Sequence, residues 1–334
     1  MSDLAAQIHD AAQRLAKGLL VAFPTETVYG LGADASNPDA VAAIFAAKGR
    51  PSNHPVIVHV PPHADLSYWV AHIPPEAQKL MDAFWPGPLT LILPRSEQAL
   101  AAVSGGQDTI GVRCPSHPVA QALLKAFEQI KGPGAGVAAP SANRFGQVSP
   151  TQAQHVRDEF PELDASQLYI LAGGNADVGI ESTIVDVSRV DQGIAPVVLR
   201  PGHITAAQIA EVLQQELGQK EAPSAPRVSG SLKAHYAPRT PLHLLSAEQI
   251  AALQADEQAV VITMGAAVPA GVHSYQAPAN PIQYASQLYS MLRSLDQQGY
   301  RTLYVQQPPQ DSAWEAINDR LGRAAAAFDE GTKP

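Results

Sequence analysis

Apolar residues follow two patterns along the start of the chain, a helical spacing and a continuous run. Apolar side chains recur at helical spacing over residues 4–15, and Gly18 separates them from a continuous apolar run at residues 19–23. This order predicts a helix, a turn and a buried strand. Asn37, followed by a proline, is typical of a helix N-terminus, and Gly49 is typical of the end of that helix.

Further short apolar runs predict more strands, with helical segments between several of them. The runs lie at residues 56–60, 89–93, 109–114, 168–172, 182–187 and 196–200. A helical pattern at residues 205–217 follows the last run. The length of this region suits one α/β or α+β domain, which we place at residues 1–218.

The chain changes character after this helix. Residues 219–234 are rich in Pro, Ser, Ala and Gly and have no apolar period, so we predict a linker at residues 219–240. Beyond it, apolar runs at residues 242–245, 259–265 and 302–307 alternate with helical segments at residues 247–254, 281–297 and 312–328. This βαβ rhythm predicts a smaller three-layer α/β domain at residues 241–334.

Composition narrows the class of protein. The chain has 334 residues, 46% of them hydrophobic, which is enough to build the cores of two domains. We expect no export signal and no membrane span, because no run of eighteen apolar residues occurs. Its single cysteine, Cys114, fits a small core residue in a reducing compartment, so we expect a cytoplasmic protein.

Net charge limits the partners. The formal charge of −9 opposes a broad nucleic-acid surface, because phosphate contacts require clustered lysines and arginines. We therefore expect no strong direct binding of nucleic acid. An acidic protein that handles a small polyanion should concentrate its few cations in one cleft.

Candidate contacts lie where the predicted strands end. Residues 24–35, PTETVYGLGADA, predict a turn that exposes backbone to a small polar ligand; Thr27 is the preferred contact, and a self-capped turn is the alternative. Lys48 and Arg50 flank a glycine, so both cations can converge on phosphate, although a solvated basic loop has the same pattern. His59 is either a surface residue or a cleft residue.

The later strands add donors of the same kind. Thr109 and Arg113 share one face of a strand, where a buried arginine needs an anion, either a ligand or a protein carboxylate. Ser141 offers a hydroxyl to phosphate or ribose, as does Ser149 unless it only caps a helix. At other strand ends Ser182 can donate to a carboxylate and Arg200 to phosphate.

Several common signatures are absent from the sequence. It contains no GxxxxGK[ST] loop, no HExxH, no GxSxG and no GxGxxG that opens a helix. P-loop NTPases, zinc proteases, α/β-hydrolases and Rossmann dehydrogenases therefore lose support. No nucleophile–base pair is visible, so positioning and electrostatic stabilisation are the expected sources of rate.

Specific motifs give a family resemblance. PTETVYGLG, KGRP with PVIVHV, PSANRFGQVSPT, ESTIVDV and LRPG occur in this order. Together they resemble the YrdC-like domain of threonylcarbamoyl-AMP synthases over about residues 5–215. SGSLKAHYAP and the tail that begins RSLDQQGYRTLYVQQ resemble the linker and C-terminal domain of the longer, two-domain members.

The resemblance implies a YrdC-like twisted mixed sheet with helices, a smaller Rossmann-like C-terminal domain, and a positively charged cleft for two substrates. Matching positions would bind threonine through Thr27, His59, Arg113, Ala139 and Ser182, and ATP through Arg50, His54, Thr109, Ser141, Ser149, Arg200 and Tyr236. Lys48 and Arg50 would be the catalytic cations, and Tyr236, with His235, would form a lid. Many relatives carry asparagine where this chain has His54.

The implied reaction is the synthesis of L-threonylcarbamoyladenylate and pyrophosphate from ATP, L-threonine and bicarbonate, with Mg²⁺ accompanying ATP and no metal held by the protein alone. The product would pass to a tRNA threonylcarbamoyl transferase complex that modifies tRNAs reading ANN codons. Related domains suggest two rivals: an RNA- or ATP-binding module without catalysis, and the carbamoyl-transferring part of hydrogenase-maturation enzymes. The second rival predicts zinc-finger cysteines that this chain lacks.

Overall fold

The computed structural model describes residues 2–219 and 225–329. Its backbone forms two compact units. The first comprises Met1–Arg144, Pro150–Asp177 and Glu181–Ser231, and the second comprises Phe145–Ser149, Val178–Ile180 and Leu232–Pro334. Residues 220–224 of the predicted linker lie outside the described residues. The second unit thus includes two short segments that precede most of its sequence.

The first unit contains seven α-helices and nine strands among its described residues. The helices are α1 (Ser2–Ala16), α2 (Pro38–Lys48), α3 (Pro75–Phe84), α4 (Ala101–Ser104), α5 (Pro118–Lys131), α6 (Ala153–Glu159) and α7 (Ala206–Leu213). The strands are β1 (Leu20–Phe23), β2 (Gly30–Asp34), β3 (Ile57–His59), β4 (Leu89–Pro94), β5 (Thr109–Arg113), β6 (Val137–Ala138), β7 (Leu168–Ile170), β8 (Thr183–Asp186) and β9 (Val197–Arg200).

These strands form one mixed sheet in the order β7-β1-β2-β6-β3-β5-β4-β8-β9. Strand β5 pairs parallel with β3 and antiparallel with β4, and β4 pairs parallel with β8. The predicted mixed α/β architecture is confirmed. At the centre of the sheet Val58, Leu91, Val112 and Val185 belong to the main apolar core, so their alternate neighbours project from the opposite face.

The prediction of a turn over residues 24–35 is wrong in its second half. Residues Gly30–Asp34 form the buried strand β2. A side chain at Gly32 would lie 2.8 Å from the Phe23 ring and 3.0 Å from the Val21 carbonyl oxygen. The glycine therefore permits close packing within the sheet, and only the part before it remains a turn.

Helix α2 has the ends that its sequence predicts. The Asn37 side chain accepts hydrogen bonds from the amides of Asp39 and Ala40, and Pro38 occupies the first turn. Gly49 ends the helix in the left-handed region with a φ of 62°. This sharp ending directs the chain from Lys48 through Arg50 into the following loop.

The second unit contains a smaller sheet. Its elements are β10 (Leu242–Leu245), α8 (Ala247–Ala251), β11 (Asp256–Thr263), β12 (Val272–Gln276), α9 (Pro281–Asp296), β13 (Thr302–Gln306) and α10 (Glu315–Ala325). The strands pair parallel in the order β10-β13-β11-β12, as the βαβ pattern predicts. Strand β12 is an addition that the apolar pattern did not indicate, because none of its residues is buried.

Several helix ends differ from prediction, among them that of α8, which ends at Ala251 and not at residue 254. Helix α7 ends at Leu213, four residues early, where Gln214 adopts a left-handed φ of 56°. The last helical segment is divided, because 3₁₀ turns at Ser312–Trp314 and Ala326–Phe328 flank α10. No helix within residues 2–219 or 225–329 combines the length and the apolar character that crossing a bilayer requires.

Candidate active site

The register of the central strands places polar side chains side by side on the face opposite the main core. His59 of β3 is the partner of Arg113 in β5, and Arg113 is the partner of Thr90 in β4. Thr90 in turn shares a hydrogen bond of 2.7 Å with the hydroxyl of Ser182, the residue before β8. All four side chains are buried. Three of the five predicted threonine contacts therefore come together here.

Arg113 has a protein carboxylate as its partner in this structure. Its Nη2 donates to Glu26 Oε1 at 2.6 Å, and its Nη1 donates to Thr27 Oγ1 at 2.9 Å. Arg113 and Glu26 expose only 4% and 6% of their surface, so the ion pair is desolvated. Of the two anions that the sequence allowed, the protein carboxylate is the one observed here. Glu26 was not predicted as a site residue.

The threonine-rich turn is self-capped, which is the alternative that the sequence allowed, and a ligand contact by Thr27 stays a prediction. Thr25 Oγ1 donates to the Val28 carbonyl oxygen at 2.6 Å and accepts from the amides of Thr27 and Val28. Thr25 therefore performs the capping. The Thr27 hydroxyl lies 2.8 Å from Thr25 Oγ1 and also accepts a hydrogen bond from Arg113.

His59 is a buried residue and not a surface one. Burial and the neighbouring Arg113 guanidinium lower its pKa to about 3, so the ring is neutral at neutral pH. Its Nδ1 lies 3.2 Å from the Ile57 carbonyl oxygen, and the Phe23 ring meets it edge to face at 6.2 Å. His59 can therefore offer a hydrogen bond without adding charge.

Lys48 contacts backbone. Its Nζ donates to the carbonyl oxygens of Ser141, at 2.6 Å, and Asn143. Burial and the nearby Arg50 hold the Lys48 pKa well below its usual range. The side chain thereby ties the end of α2 to the segment that carries Ser141.

Arg50 and Arg200 converge on one serine. Arg50 Nη2 donates to Ser229 Oγ at 3.2 Å and to the Pro55 carbonyl oxygen at 2.7 Å. Arg200 Nη1 donates to the Ser229 carbonyl oxygen at 3.0 Å, and its Nη2 donates to Ser182 Oγ at 3.1 Å. The two predicted ATP cations are thus brought together, and Ser182 connects them to the Thr90–Arg113 group.

A narrow cleft lies beside Ser229, the serine that both arginines contact. Thr109, Gly111, Val228 and Ser229 are among the residues that line it. Val228 also packs against an apolar group on this face of the sheet, formed by Ile57, Ile92, Ile184, Val197 and Leu199. The described part of the predicted linker therefore covers the sheet next to Thr109.

The remaining predicted contacts of the first unit lie in the segments just before β3 and just after β6. Ala139 follows β6, and its amide donates to the Ile57 carbonyl oxygen at 3.0 Å. Ser141 is half-buried. His54 is also half-buried, and burial together with the charges of Arg50 and Arg227 lowers its pKa.

Ser149 and Tyr236 belong to the second unit. Ser149 is fully buried. Tyr236 has a left-handed φ of 62°, and its ring stacks on Tyr289 with 5.9 Å between centroids and lies 5.2 Å from the Arg320 guanidinium carbon. Its aromatic ring is therefore held by neighbours within that unit.

Charge and nucleophile chemistry follow from these positions. Arg50, Arg113 and Arg200 are buried guanidinium groups, which favours a site for anions, whereas the lowered pKa of Lys48 reduces its share of the positive charge. Cys114 lies in the main core, where burial raises its pKa to about 12, so it does not supply a thiolate. The described residues contain no group of three or more His, Cys, Asp or Glu that could hold a metal.

Comparison with known proteins identifies the family. A family model described as "Telomere recombination" matches residues 13–202, and one described as "Threonylcarbamoyl-AMP synthase, C-terminal domain" matches residues 204–326. The large mixed sheet and the first match place the chain in the Sua5–YciO–YrdC class. Within that class, the chain belongs to the threonylcarbamoyl-AMP synthase family in its two-domain form.

Individual relatives are similar over almost the whole chain. The threonylcarbamoyl-AMP synthase of Bacillus subtilis is 40% identical and covers 96% of this chain and 93% of its own length. That of Pyrococcus abyssi is 34% identical, with 96% and 94% coverage. The crystal structure of P. abyssi Sua5 complexed with L-threonine has a TM-score of 0.84 at 33% identity and covers 96% of this chain and 94% of that one.

Proposed function

We propose that the protein synthesises L-threonylcarbamoyladenylate and pyrophosphate from ATP, L-threonine and bicarbonate. It is an enzyme of the nucleotidyltransferase type. The observation that carries the proposal is the buried group of Arg50, Arg113 and Arg200. Ser182 connects this group, because its hydroxyl contacts both Arg200 and Thr90, and Thr90 is the strand partner of Arg113. A desolvated group of cations suits two anionic substrates held side by side.

L-Threonine would occupy the part of the site around Arg113. The guanidinium is the natural partner for its carboxylate, and the Thr27 and Ser182 hydroxyls and neutral His59 provide hydrogen bonds to the substrate. Ala139 would contribute its backbone. Support comes from the register, which places His59 beside Arg113, and from the threonine complex of the similar P. abyssi protein.

ATP would occupy the part around Arg50 and Arg200, together with Thr109 and Ser141. From the resemblance, the proposal carries over His54, Ser149 and Tyr236 as further ATP contacts. Lys48 would act through the backbone of Ser141, because its Nζ already donates to that carbonyl. Mg²⁺ would arrive bound to the ATP phosphates and offset their charge.

The reaction needs no protein nucleophile. The threonine amine attacks the carbon of carbon dioxide and loses a proton, or attacks the carbon of bicarbonate with loss of one water molecule; both routes give a carbamate. A carbamate oxygen then attacks the α-phosphorus of ATP, and the bond to the β-phosphate breaks to release pyrophosphate. Arg50 and Arg200 would stabilise the charge on the phosphates, and the neutral state of His59 keeps an extra charge away from the amine.

The product would be consumed by a transferase complex that attaches the threonylcarbamoyl group to adenosine in tRNAs that read ANN codons. The cytoplasm is the compartment proposed for the protein, because tRNA is modified there. The single cysteine fits this reducing environment.

The decisive experiment follows two products from one mixture. Purified protein is incubated with ATP, Mg²⁺, radiolabelled bicarbonate and either L-threonine or L-serine, and pyrophosphate and a labelled adenylate are measured. Threonine-dependent formation of both products is expected. ATP binding without either product would instead support the accessory binding module.

The matched variants are Arg50→Ala and Arg157→Ala. Arg50 lies in the buried cation group, whereas Arg157 is exposed on helix α6. Adenylate formation should be abolished in the first variant and retained in the second, with similar melting temperatures. A stable Arg50→Ala protein with undiminished turnover would contradict the assignment.

A further inference from the structure

Helix α9 of the second unit carries a buried arginine that binds backbone. Arg293 exposes 9% of its surface. Its Nη2 donates to the Val148 carbonyl oxygen, and its Nε lies 3.4 Å from the Ser149 carbonyl oxygen. Both carbonyls belong to the segment Phe145–Ser149, more than a hundred residues earlier in the chain. One side chain of α9 therefore contacts two successive carbonyls of that segment.

The same helix binds the chain after the HYAP motif. Asp296, one turn beyond Arg293, accepts hydrogen bonds from the amides of Arg239, at 3.1 Å, and Thr240, at 2.7 Å. The two bound segments also contact each other, because the Ala237 amide donates to the Gly146 carbonyl oxygen at 2.9 Å. Helix α9 thus fixes two pieces of backbone that pair together.

An arginine suits this position for a geometric reason. A guanidinium presents several N–H donors in a rigid plane, so it can serve two neighbouring carbonyls at once, whereas an ammonium group is a single point of charge. Removing the side chain would leave buried carbonyls without these donors, which disfavours the observed backbone conformation.

We infer that Arg293 is a positioning residue for the proposed ATP contact Ser149: it holds the Val148–Ser149 backbone in the observed conformation. This inference rests on the proposed function, in which Ser149 is an ATP contact. It gives the C-terminal sequence a specific task, since the arginine that sets this segment lies on α9 (Pro281–Asp296). None of the proposed threonine contacts lies in Phe145–Ser149.

The test compares Arg293→Met and Arg293→Lys with the control Arg301→Met. Arg301 belongs to the same unit but is exposed, and its side chain contacts Gln258. In Arg293→Met the KM for ATP should rise about tenfold or more, because the Val148 and Ser149 carbonyls lose hydrogen bonds from a charged donor and Ser149 is a proposed ATP contact. The KM for threonine should change little, because threonine has no proposed contact in this segment. Arg293→Lys should recover part of the ATP affinity, and Arg301→Met should match the wild type.

Two further measurements separate positioning from general loosening. Hydrogen exchange of the Ala237 amide, which donates into the segment, should be faster in Arg293→Met, whereas exchange in strand β11 should be unchanged. The dissociation constant for ATP is measured by calorimetry without turnover, so the inference can be judged even if the wild type forms no adenylate. Absence of adenylate from the wild type would contradict only the proposed function.

Two results would overturn the inference. The first is an Arg293→Met protein with unchanged ATP affinity and unchanged Ala237 exchange. The second is an equal rise of both KM values with faster exchange throughout the second unit, which would show a purely structural role. The expected result is a selective loss of ATP affinity with exchange changes confined to the bound segments.

Discussion

At the scale of single residues, Arg113 shows how one cation can have two partners. Glu26 neutralises it in the folded protein, and the proposed substrate brings a second carboxylate to the same guanidinium. A buried ion pair is weak evidence for a stabilising role, although removing one partner is costly because it leaves an unpaired buried charge. The structural and the substrate-binding roles therefore require separate tests.

A double substitution separates these roles. Arg113→Met should destabilise the protein by about 3 kcal/mol, because Glu26 is left buried without its cation. Adding Glu26→Gln should restore most of that stability, since the remaining side chain is neutral. If Arg113 also binds threonine, the double variant should stay inactive; denaturant unfolding and the adenylate assay measure the two effects. Recovery of turnover along with stability would leave Arg113 with only its structural role.

His59 gives a pH dependence with a definite sign. Its folded pKa of about 3 lies below the ordinary value of 6.5, so between these limits the unfolded chain binds a proton that the folded protein does not. Stability therefore falls as pH decreases from about 6.5, by up to about 1.4 kcal/mol per pH unit for this group. His59→Gln lacks this contribution. Its deficit in unfolding free energy relative to wild type should narrow between pH 7 and pH 5, whereas a constant deficit would contradict the lowered pKa.

At the scale of elements, the end of α2 orients two of the proposed catalytic cations. Gly49 has a φ of 62°, and a side chain there would meet no heavy atom within 4 Å. Substitution therefore tests backbone conformation alone. Gly49→Ala should cost about 1 kcal/mol, because an L-residue is strained in the left-handed region. Chemical denaturation measures this cost, and Gly299→Ala, in the second unit with φ 80° and open space, is the matched control.

If Gly49 matters for orientation, its substitution should lower turnover while Gly299→Ala should not. Both variants carry the same kind of backbone strain, so comparable losses of stability are expected. Equal activity of the two variants at equal stability would show that the end of α2 tolerates a small rotation of Lys48 and Arg50.

The elements that the sequence predicted are those with a local signal. Apolar runs located β3, β4 and β5, and the cap and glycine located both ends of α2. Strand β2 was missed because its glycines resemble a turn, whereas their purpose is close approach to Phe23, which depends on the neighbouring strand. Strand β12 was missed because none of its residues is buried, so its sequence has no run of apolar residues to mark a strand.

The same limit applies to the candidate site. The polar residues at strand ends could be identified one by one, but their partners come from register and tertiary packing. Glu26 meets Arg113 from 87 residues away, and Thr90 meets Ser182 from 92 residues away. Thr90 had one sequence signal, a single hydroxyl within an apolar strand. Ser229, in the predicted linker, had none beyond its residue type.

At the scale of the whole molecule, the distribution of charge matters more than its sum. The chain has a formal charge of −9, yet the proposed reactants carry negative charge themselves. Buried arginines resolve this conflict locally, because a charge in a low-dielectric cleft acts over short distances with little screening. A long nucleic acid, in contrast, would contact the protein surface, where the net negative charge of the protein repels its phosphates.

This contrast predicts different responses to tRNA and to ATP. Dissociation constants for unmodified tRNA should lie in the range of nonspecific binding, about 1–100 μM near physiological salt, or weaker, because few clustered cations are available to release counterions. Fluorescence anisotropy with labelled tRNA at several salt concentrations measures this, and calorimetry of ATP on the same preparation is the control. Submicromolar tRNA binding with a steep salt dependence would show that a basic surface exists despite the net charge. In that case the protein would be able to deliver its product directly to a bound tRNA.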